Sequence, residues 1–439
     1  MDKTDTSRHR VRVRSHRPRD AIASAIAYVN ANDSGARCFM KILHLLSTVD
    51  PRAGGPTEGV LQSGLSMRAM GHQIEVVSLD APDAPNLKAF PLRLHALGPS
   101  RGFYGLCPRL VPWLAEHAVR FDAIIVNGLW QYHSFGAWKA LRGSNVPYYV
   151  FPHGMLDPWF KRTYPLKHLK KCLYWPWAEY RVLRDARRVL FTTQEERLLA
   201  RESFRLYRAN EEVVSFGTRQ PPADSTTLRN AFLSKFPQLA GKRAILFLGR
   251  IHEKKGCDLL LKAFAAVRDI DPRAHLVMAG PDDSEWARQL RTLAKELGIE
   301  DRTTWTGMLT GDLKWGAFRT SDVFALPSHQ ENFGIAVAEA LGSKLPVLIS
   351  DKVNIWREVK EDGAGIVTSD TVDGAIEALS TWLRMDADAA AAMREQALAT
   401  FMQRFHVDAM SKDLVRVLRE TANRRDGGVT RGLVSEATG

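Results

Sequence analysis

The sequence has few cysteines and no long apolar run. Its four cysteines show no C-x-x-C spacing, which argues against a structural zinc site and fits a reducing compartment. No stretch of 18 uncharged apolar residues occurs, so we expect no transmembrane helix. The basic N-terminus lacks a continuous apolar segment and does not predict a secretory signal. These absences favour a cytoplasmic protein and leave open a peripheral position on the inner membrane face.

Three patterns of catalytic and cofactor sites are also missing. The loop after the first predicted strand does not read G-x-G-x-x-G, so a dinucleotide site is not expected. The pairs Asp269-Ile270-Asp271 and Asp386-Ala387-Asp388 do not follow strands, and we interpret both as surface features rather than metal ligands. No Ser-His-Asp triad and no clearly placed carboxylate nucleophile are found. We therefore expect a site that uses no metal and no other cofactor.

What is present is the composition of an ordinary globular protein. A chain of 439 residues exceeds the size of one hydrophobic core, so two domains are the default. The net charge of +12 predicts acidic partners such as phosphate, anionic lipid or nucleic acid. Short apolar strands alternate with helical patterns, which predicts an α/β fold with doubly wound parallel sheets. The predicted strands are 41–46, 74–79, 123–126, 148–151, 189–192, 244–248, 275–279, 303–307, 323–326, 345–350 and 364–368.

One stretch, 328–342, organises the chain. The apolar strand 323–326 leads into it through Pro327, and a helix with small and apolar residues leads out of it. Ligands bind at such strand ends in open α/β sheets, and the N–H groups at a helix start favour phosphate. Glu331 and Glu339 are eight residues apart, which would be about 12 Å if the whole interval were helical. That distance suits the two ends of a sugar diphospho-ribose.

Three further loops follow predicted strands. Gly54 and Gly55 lie between the first strand and its helix, where a glycine pair allows close approach to a phosphate. His153 follows the fourth strand in a Pro-His-Gly context. Arg250 and Lys255 project from the loop after strand 244–248, where two cations could hold a diphosphate as charge builds on a leaving group.

These residues carry a family resemblance over about residues 41–420. Glu331 and Glu339 match an E-x7-E motif, and 249–256 matches G-R-x(3)-K-K-G. The chain resembles retaining nucleotide-sugar glycosyltransferases of the GT-B architecture, of the family 4 type that builds bacterial polysaccharide and lipid-linked glycans. The resemblance implies two Rossmann-like domains facing across a cleft. It also implies transfer of a hexose from a nucleotide-diphospho-sugar to a glycan or lipid-linked acceptor, with retention of anomeric configuration.

The resemblance implies a role for each matching residue. Glu331 would bind the donor sugar hydroxyls and Glu339 the ribose, while Arg250 and Lys255 would hold the diphosphate. His153 would lie beside the reacting sugar, as a hydrogen-bonding group rather than an assigned base. The remaining implied donor contacts are made largely through backbone, by Gly54, Gly55, Asn332, Phe333 and Gly334.

The predicted domain organisation has five parts. Residues 1–39 are an Arg-rich tail expected to be disordered, and we expect the native chain to start at Met40. An acceptor-binding domain over 40–217 precedes a nucleotide-sugar-binding domain over 218–404. A helix over 405–422 is expected to cross back to the first domain, and 423–439 form a second disordered tail.

The segment 159–188 is basic and aromatic. It carries nine Lys and Arg residues against Glu179 and Asp185, interleaved with Trp, Tyr and Phe. Such a mixture suits the headgroup boundary of an anionic membrane. An ordinary solvated face over a normal core is an equally good interpretation of the sequence.

Two other functions remain open. A nucleotide-sugar epimerase or a phosphorylase can use the same architecture. A basic nucleic-acid-binding protein is disfavoured because the charge is concentrated in one segment and a tail rather than in a continuous stripe, and no nucleic-acid partner is expected.

Overall fold

The fold is taken from a computed structural model that describes residues 39–53 and 55–423. The predictions for the N-terminal tail before Phe39, for Gly54 and for the tail after residue 423 lie outside these residues. Within the unit that begins at Met40, the described strands form two separate sheets.

The first sheet contains seven parallel strands in the order β3-β2-β1-β4-β5-β6-β7. Ile42 of β1 pairs with Ile74 of β2 on one side and with Ala123 of β4 on the other. The first strand, β1, therefore lies in the middle of the sheet, and later strands are added on both sides of it. The strands are β1 Lys41–Leu45, β2 Gln73–Ser78, β3 Arg93–Ala96, β4 Ala123–Asn127, β5 Tyr148–Phe151, β6 Arg188–Phe191 and β7 Glu211–Val213.

The second sheet contains six parallel strands in the order β10-β9-β8-β11-β12-β13. Leu246 of β8 pairs with Val277 of β9 and with Phe324 of β11, so this sheet also begins at its centre. The prediction of two doubly wound parallel sheets is confirmed. The strands are β8 Arg243–Leu248, β9 Ala274–Ala279, β10 Thr303–Gly307, β11 Val323–Leu326, β12 Val347–Ser350 and β13 Gly365–Thr368.

Helices connect the strands on both faces of each sheet, as parallel pairing requires. In the first half they are α1 Gly55–Ala69, α2 Leu110–His117, α3 Tyr132–Leu141, α4 Trp159–Thr163, α5 Pro165–Tyr174, α6 Glu179–Asp185 and α7 Gln194–Ala200. In the second half they are α8 Ser225–Lys235, α9 Cys257–Val267, α10 Glu285–Glu296, α11 Gly311–Thr320, α12 Ile335–Gly342, α13 Trp356–Glu361, α14 Val372–Arg384, α15 Ala387–Thr400 and α16 Val407–Asn423.

Two strands, β3 and β7, were not predicted, and they form the two edges of the first sheet. Strand β3 has no fully buried residue, and neither does β7. Edge strands are covered on fewer sides, so they carry charged residues and lack the continuous apolar run of a central strand. Our interpretation of Asp271 as a surface residue is wrong. It is 8% exposed and its carboxylate lies 3.3 Å from the Arg243 guanidinium.

The last helix, α16, packs against the first sheet although it follows the second. Leu414 and Leu418 are fully buried in one cluster with Ile42 and Tyr149. The Ser66 hydroxyl donates a 2.7 Å hydrogen bond to Asp408 at the start of the helix. The predicted boundaries at residues 217 and 404 stay predictions. The final strand of the first sheet ends at Val213, and the second sheet starts at Arg243.

Among the described residues, every helix falls short of the length and apolar character needed to cross a lipid bilayer.

We predict that Leu414→Ala lowers the free energy of unfolding by about 2–5 kcal/mol, because it empties a fully buried position between α16 and the first sheet. Lys412→Ala, two residues away on the exposed side of the same helix, should change it by less than about 0.5 kcal/mol. Urea unfolding followed by circular dichroism measures both. Equal losses would show that the contact of α16 with the sheet contributes nothing specific.

Candidate active site

A cavity of about 680 Å³ lies where the carboxyl ends of the two sheets meet. The first sheet contributes the loops after β1, β5, β6 and β7, and the second contributes the loops after β8, β9, β10 and β11. Parallel strands bring all their carboxyl ends to one edge, so this is the expected position of a ligand site. Of the predicted site residues, the cavity is lined by Gly55, His153, Arg250, Lys255, Glu331, Asn332, Phe333 and Gly334.

The loop between β11 and α12 is fixed by its backbone. The Glu331 N–H donates to the Lys352 carbonyl at 2.9 Å, and the Glu331 carbonyl accepts from Asn354 at 3.0 Å. Gly334 has φ +78° and caps the helix, a conformation that other residues rarely adopt. Helix α12 therefore begins at Ile335, after Glu331. The assumption of an unbroken helix from Glu331 to Glu339, on which the estimate of about 12 Å depended, is therefore wrong.

Lys255 and Glu331 form an ion pair at the wall of the cavity. Their side chains are 12% and 18% exposed, so the pair is largely shielded from water. Burial, followed by the charges of Lys254 and Arg250, lowers the pKa of Lys255 to about 7, while the adjacent Glu331 carboxylate acts in the opposite direction. Gly256 places this lysine: a Cβ there would lie 2.0 Å from the Pro327 carbonyl oxygen.

Arg250 and Lys254 add positive charge to the same wall. Arg250 is exposed and lines the cavity after the end of β8. Burial lowers the pKa of Lys254, and its ammonium donates a 3.1 Å hydrogen bond to the Gln330 side chain. The sequence prediction selected Arg250 and Lys255 and left out Lys254, although all three belong to the same matched loop.

Glu339 does not line the cavity. Its side chain is buried, and the Lys314 ammonium of α11 donates a 2.5 Å hydrogen bond to it. Burial raises the pKa of Glu339, and the Lys314 charge opposes that change. The structure therefore separates the two glutamates of the motif, with Glu331 facing the cavity and Glu339 behind it.

His153 lines the cavity as a neutral side chain. Burial, followed by the charge of His44, lowers its pKa to about 3. Its Nε2 lies 3.3 Å from the Asn127 side-chain oxygen, and its ring stacks on Phe151. The backbone at His153 has φ +51°, a strained value for a non-glycine residue. A neutral imidazole in this position can hydrogen-bond a sugar hydroxyl.

The glycine loop after β1 reaches the start of α12. A Cβ built on Gly55 would lie 3.9 Å from the Ile335 side chain, so the two sheets' loops nearly touch there. Gly54, the other predicted residue of this loop, lies outside the described residues.

Sequence reasoning missed a polar network that joins the two sheets across the cavity. Gln330 donates a 3.1 Å hydrogen bond to Asp157, and Asn332 donates a 3.2 Å bond to the Thr192 hydroxyl. Beneath them the buried Glu196 carboxylate accepts from the Thr192 N–H, the Thr192 hydroxyl and the Gly154 N–H at 2.5–2.7 Å.

The sequence does contain a signal for Glu196. It lies three residues after Thr193, and the Thr193 side chain accepts from the Glu196 N–H as in a capping box. That pattern predicts a helix start but not a support for the cavity wall, because the Glu196 side chain turns to Thr192 and Gly154 instead. Burial raises its pKa, against the hydrogen bonds from Thr192 and Gly154.

Within residues 39–53 and 55–423, no three His, Cys, Asp or Glu side chains lie close enough together to share a metal ion. Metal-independent chemistry was predicted from the sequence and stays a prediction.

Two parallel α/β sheets that share a cleft at their carboxyl ends define the GT-B architecture. Solved structures of this kind superpose on most of the chain. Sucrose-phosphate synthase of Thermosynechococcus elongatus gives a TM-score of 0.69 at 19% identity, covering 88% of this chain and 100% of that one. The Anabaena protein HepE, solved in complex with UDP and glucose, gives 0.69 at 18% identity, covering 87% and 100%. At identities of 18–19%, the similarity of these structures to this chain shows a shared fold alone.

The sequence matches two family descriptions in succession. Residues 54–217 match the Glycosyl transferase 4-like domain, and residues 230–400 match Glycosyl transferases group 1. The chain therefore belongs to the GT-B glycosyltransferases of the family 4 type, and the predicted family is confirmed.

Relatives with assigned names agree with this membership. The D-inositol 3-phosphate glycosyltransferase of Rhodococcus erythropolis is 28% identical over 359 residues, which cover 75% of this chain and 79% of that protein. Its namesake in Nocardia farcinica is 32% identical over 201 residues, and that match spans less than half of either protein, 43% of each.

We predict that Glu196→Gln destabilises the fold by about 1–3 kcal/mol, because an amide turns a donor toward groups that need an acceptor. The neighbouring Glu195 pairs with Arg357, and the two side chains are 18% and 48% exposed, so the pair stays in contact with water and Glu195→Gln should cost only about 0–1 kcal/mol. Chemical denaturation of both variants measures the difference. A loss for Glu195→Gln as large as for Glu196→Gln would contradict the supporting role of Glu196.

Proposed function

We propose that this glycosyltransferase moves a hexose from a nucleotide-diphospho-sugar to a glycan or lipid-linked acceptor, with retention of anomeric configuration. The observation that carries the proposal is the group of three cations, Arg250, Lys254 and Lys255, beside Glu331 on one wall of the cavity. Charged groups of both signs are what a ligand with a diphosphate at one end and sugar hydroxyls at the other requires.

The diphosphate would lie between the cations and the start of α12. The first N–H groups of a helix have no acceptor within the helix, and Ile335 and Ala336 of that turn line the cavity. Gly334 lets the ligand approach the backbone closely. Asn332 and Phe333 would contact the sugar and phosphate through their backbone groups. The complex of HepE with UDP-glucose supports a nucleotide-sugar donor.

When the donor binds, Lys255 and Glu331 would each exchange the other for a group of the ligand. A diphosphate next to Lys255 would compete for its charge with the Glu331 carboxylate. Released from Lys255, the carboxylate would accept hydrogen bonds from the sugar hydroxyls. Lys255 and Glu331 therefore act in sequence. Lys255 holds the diphosphate leaving group, and Glu331 orients the donor sugar.

Retention is supported by the scarcity of carboxylates in the cavity. Glu331 is the sole Asp or Glu among the described residues that line it, and the proposal assigns it to sugar hydroxyls. We therefore favour attack on the face that the leaving group departs from. The bond between the anomeric carbon and the acceptor oxygen forms as the bond to the phosphate oxygen breaks. The acceptor hydroxyl proton passes to that phosphate oxygen, while Arg250 and Lys255 stabilise its charge.

His153 and Glu339 take supporting roles in this proposal. The neutral His153 would hydrogen-bond the donor sugar or orient the acceptor, without acting as a base. The Glu339 carboxylate would accept hydrogen bonds from the ribose hydroxyls. It would have to do so in addition to its contact with Lys314, or in place of it. The cations and the helix start supply positive charge at the diphosphate, so we propose that no metal is needed.

The acceptor would enter over the first sheet. A sugar-phosphate acceptor is a second candidate, because Arg52 lies on the cavity rim with its side chain 90% exposed. A phosphate there would have to compete with Asp50, which pairs with Arg52 at 2.6 Å. The names of two relatives, D-inositol 3-phosphate glycosyltransferase and the mannosylfructose-phosphate synthase of Agrobacterium fabrum, support this alternative.

We predict that one of the UDP-, GDP- or ADP-sugars raises the melting temperature. A ligand at 100 times its Kd adds about 2.7 kcal/mol to the stability of the folded state. The double variant Arg250→Met/Lys255→Met should lose the shift, since both cations face the diphosphate. Lys139→Met/Lys242→Met removes two exposed lysines elsewhere and should keep it. Equal shifts in both variants, or none with any donor in the wild type, would overturn the proposed site.

We predict that donor binding weakens above pH about 7, because Lys255 loses its proton there while the sugar diphosphate stays charged. The Kd should be constant below that pH and rise by up to about tenfold per unit above it. The contact with Glu331 shifts the onset upward. Lys255→Arg should flatten the profile, because a guanidinium does not titrate in this range. Calorimetric titration from pH 6 to 9 measures both, and identical profiles would exclude Lys255 as the titrating group.

A further inference from the structure

Helix α5, Pro165–Tyr174, turns its leucines to solvent. Leu166, Leu169 and Leu173 are 77%, 60% and 73% exposed, and Trp177 just beyond the helix is 68% exposed. At 3.6 residues per turn the three leucines lie within roughly 60° of one another around the helix axis. They form one continuous apolar stripe, which we call the leucine face.

Polar side chains hold the same helix to the protein. His168 stacks on Phe204 with ring centres 4.9 Å apart, and the Lys171 ammonium lies 4.2 Å from the centre of the Trp130 ring. The Tyr174 hydroxyl contacts the Tyr104 hydroxyl. A surface helix of a globular protein normally buries its apolar side and exposes its charges. Here that orientation is reversed, so the leucine face needs a partner outside the described fold.

Basic residues border the leucine face. Lys161, Arg162, Lys167 and Lys170 are all exposed, and residues 159–178 contain no Asp or Glu. An apolar stripe with positive charge on its borders is complementary to a bilayer that carries anionic headgroups. A protein partner with an apolar patch would match the leucines but would not require the lysines.

Helices α4 and α5 lie beside the cleft. Met155 and Phe160 line the 680 Å³ cavity, and both also line a small cavity of about 60 Å³ beneath α4 and α5. The leucine face is therefore carried by a helix that neighbours the cleft.

We propose that α5 is an interfacial helix that docks the enzyme on an anionic lipid surface. The leucines and Trp177 enter the headgroup boundary, and the bordering lysines and arginines contact the lipid phosphates. This docking rests on exposure and charge alone. It does not depend on which donor or acceptor the enzyme uses, so each proposal can fail without the other.

Flotation of the full chain with vesicles tests the docking. Vesicles of phosphatidylcholine with roughly 30% phosphatidylglycerol, which makes their surface negatively charged, should carry the wild type upward. The variant Leu166→Gln/Leu169→Gln/Leu173→Gln should bind at least tenfold more weakly. Its matched control, Val119→Gln/Leu198→Gln/Met402→Gln, alters three exposed apolar side chains elsewhere and should bind like the wild type.

A second pair of variants separates local from general charge. Lys167→Glu/Lys170→Glu should bind more weakly than Lys139→Glu/Lys242→Glu, which changes the net charge of the chain equally but away from α5. Cys172 is exposed on α5, so an environment-sensitive dye attached to it in a Cys38→Ser background should shift to the blue with anionic vesicles. Melting temperatures confirm that each variant is folded.

Several results would overturn the proposal. One is failure of the wild type to float with anionic vesicles. Another is unchanged binding by the folded leucine variant, which would assign any attraction to charge elsewhere in the chain. A third is a wild type that forms dimers by light scattering, ignores vesicles and becomes monomeric in the leucine variant, because the occupant would then be a second copy of the chain.

Discussion

The site depends on an ion pair that is largely shielded from water at the wall of the cavity. Lys255 and Glu331 come from loops at the ends of neighbouring strands, β8 and β11, and each neutralises the other. A buried lysine alone tends to lose its proton, and a buried carboxylate alone tends to gain one. Pairing favours the charged form of both groups. In the proposed function, an incoming diphosphate would therefore meet, below the pKa of Lys255, a cation that has already lost most of its water. The positive φ of Gly256 and Gly334 keeps the two loops in place.

The two sheets approach each other through small residues and amide groups. A Cβ on Gly154 would lie 2.8 Å from the Asn332 side chain, so glycine is needed where the walls come closest. Nearby, Gln330 receives from Lys254 and donates to Asp157, which links the second sheet's cations to the first sheet. These links narrow the cavity without filling it, and a narrow site excludes the water that would compete with an acceptor hydroxyl.

Much of this arrangement could be predicted because parallel sheets obey simple rules. The central strands are apolar runs, and the loops after the strands of one sheet must meet at one edge, so Arg250, Lys255 and Glu331 could be placed together. The family resemblance, with its two domains facing across a cleft, placed His153 opposite them. Other features depend on partners far away in the chain. Lys314 holds Glu339 from a different helix, and Arg243 buries Asp271 from a strand 28 residues away. The sequence shows these residues but not their pairing, and Gly334 ended the helix pattern where continuity was assumed.

The first sheet cannot complete its core until helix α16 has been synthesised. The strands of the first sheet are complete once Val213 has been made, yet the side chains that cover Ile42 and Tyr149 arrive roughly 200 residues later, at Leu414 and Leu418. At about 5–20 residues per second, the ribosome exposes that apolar layer for some 10–40 seconds. The nascent N-terminal half therefore exposes apolar side chains of its sheet until α16 has been made and has packed over them.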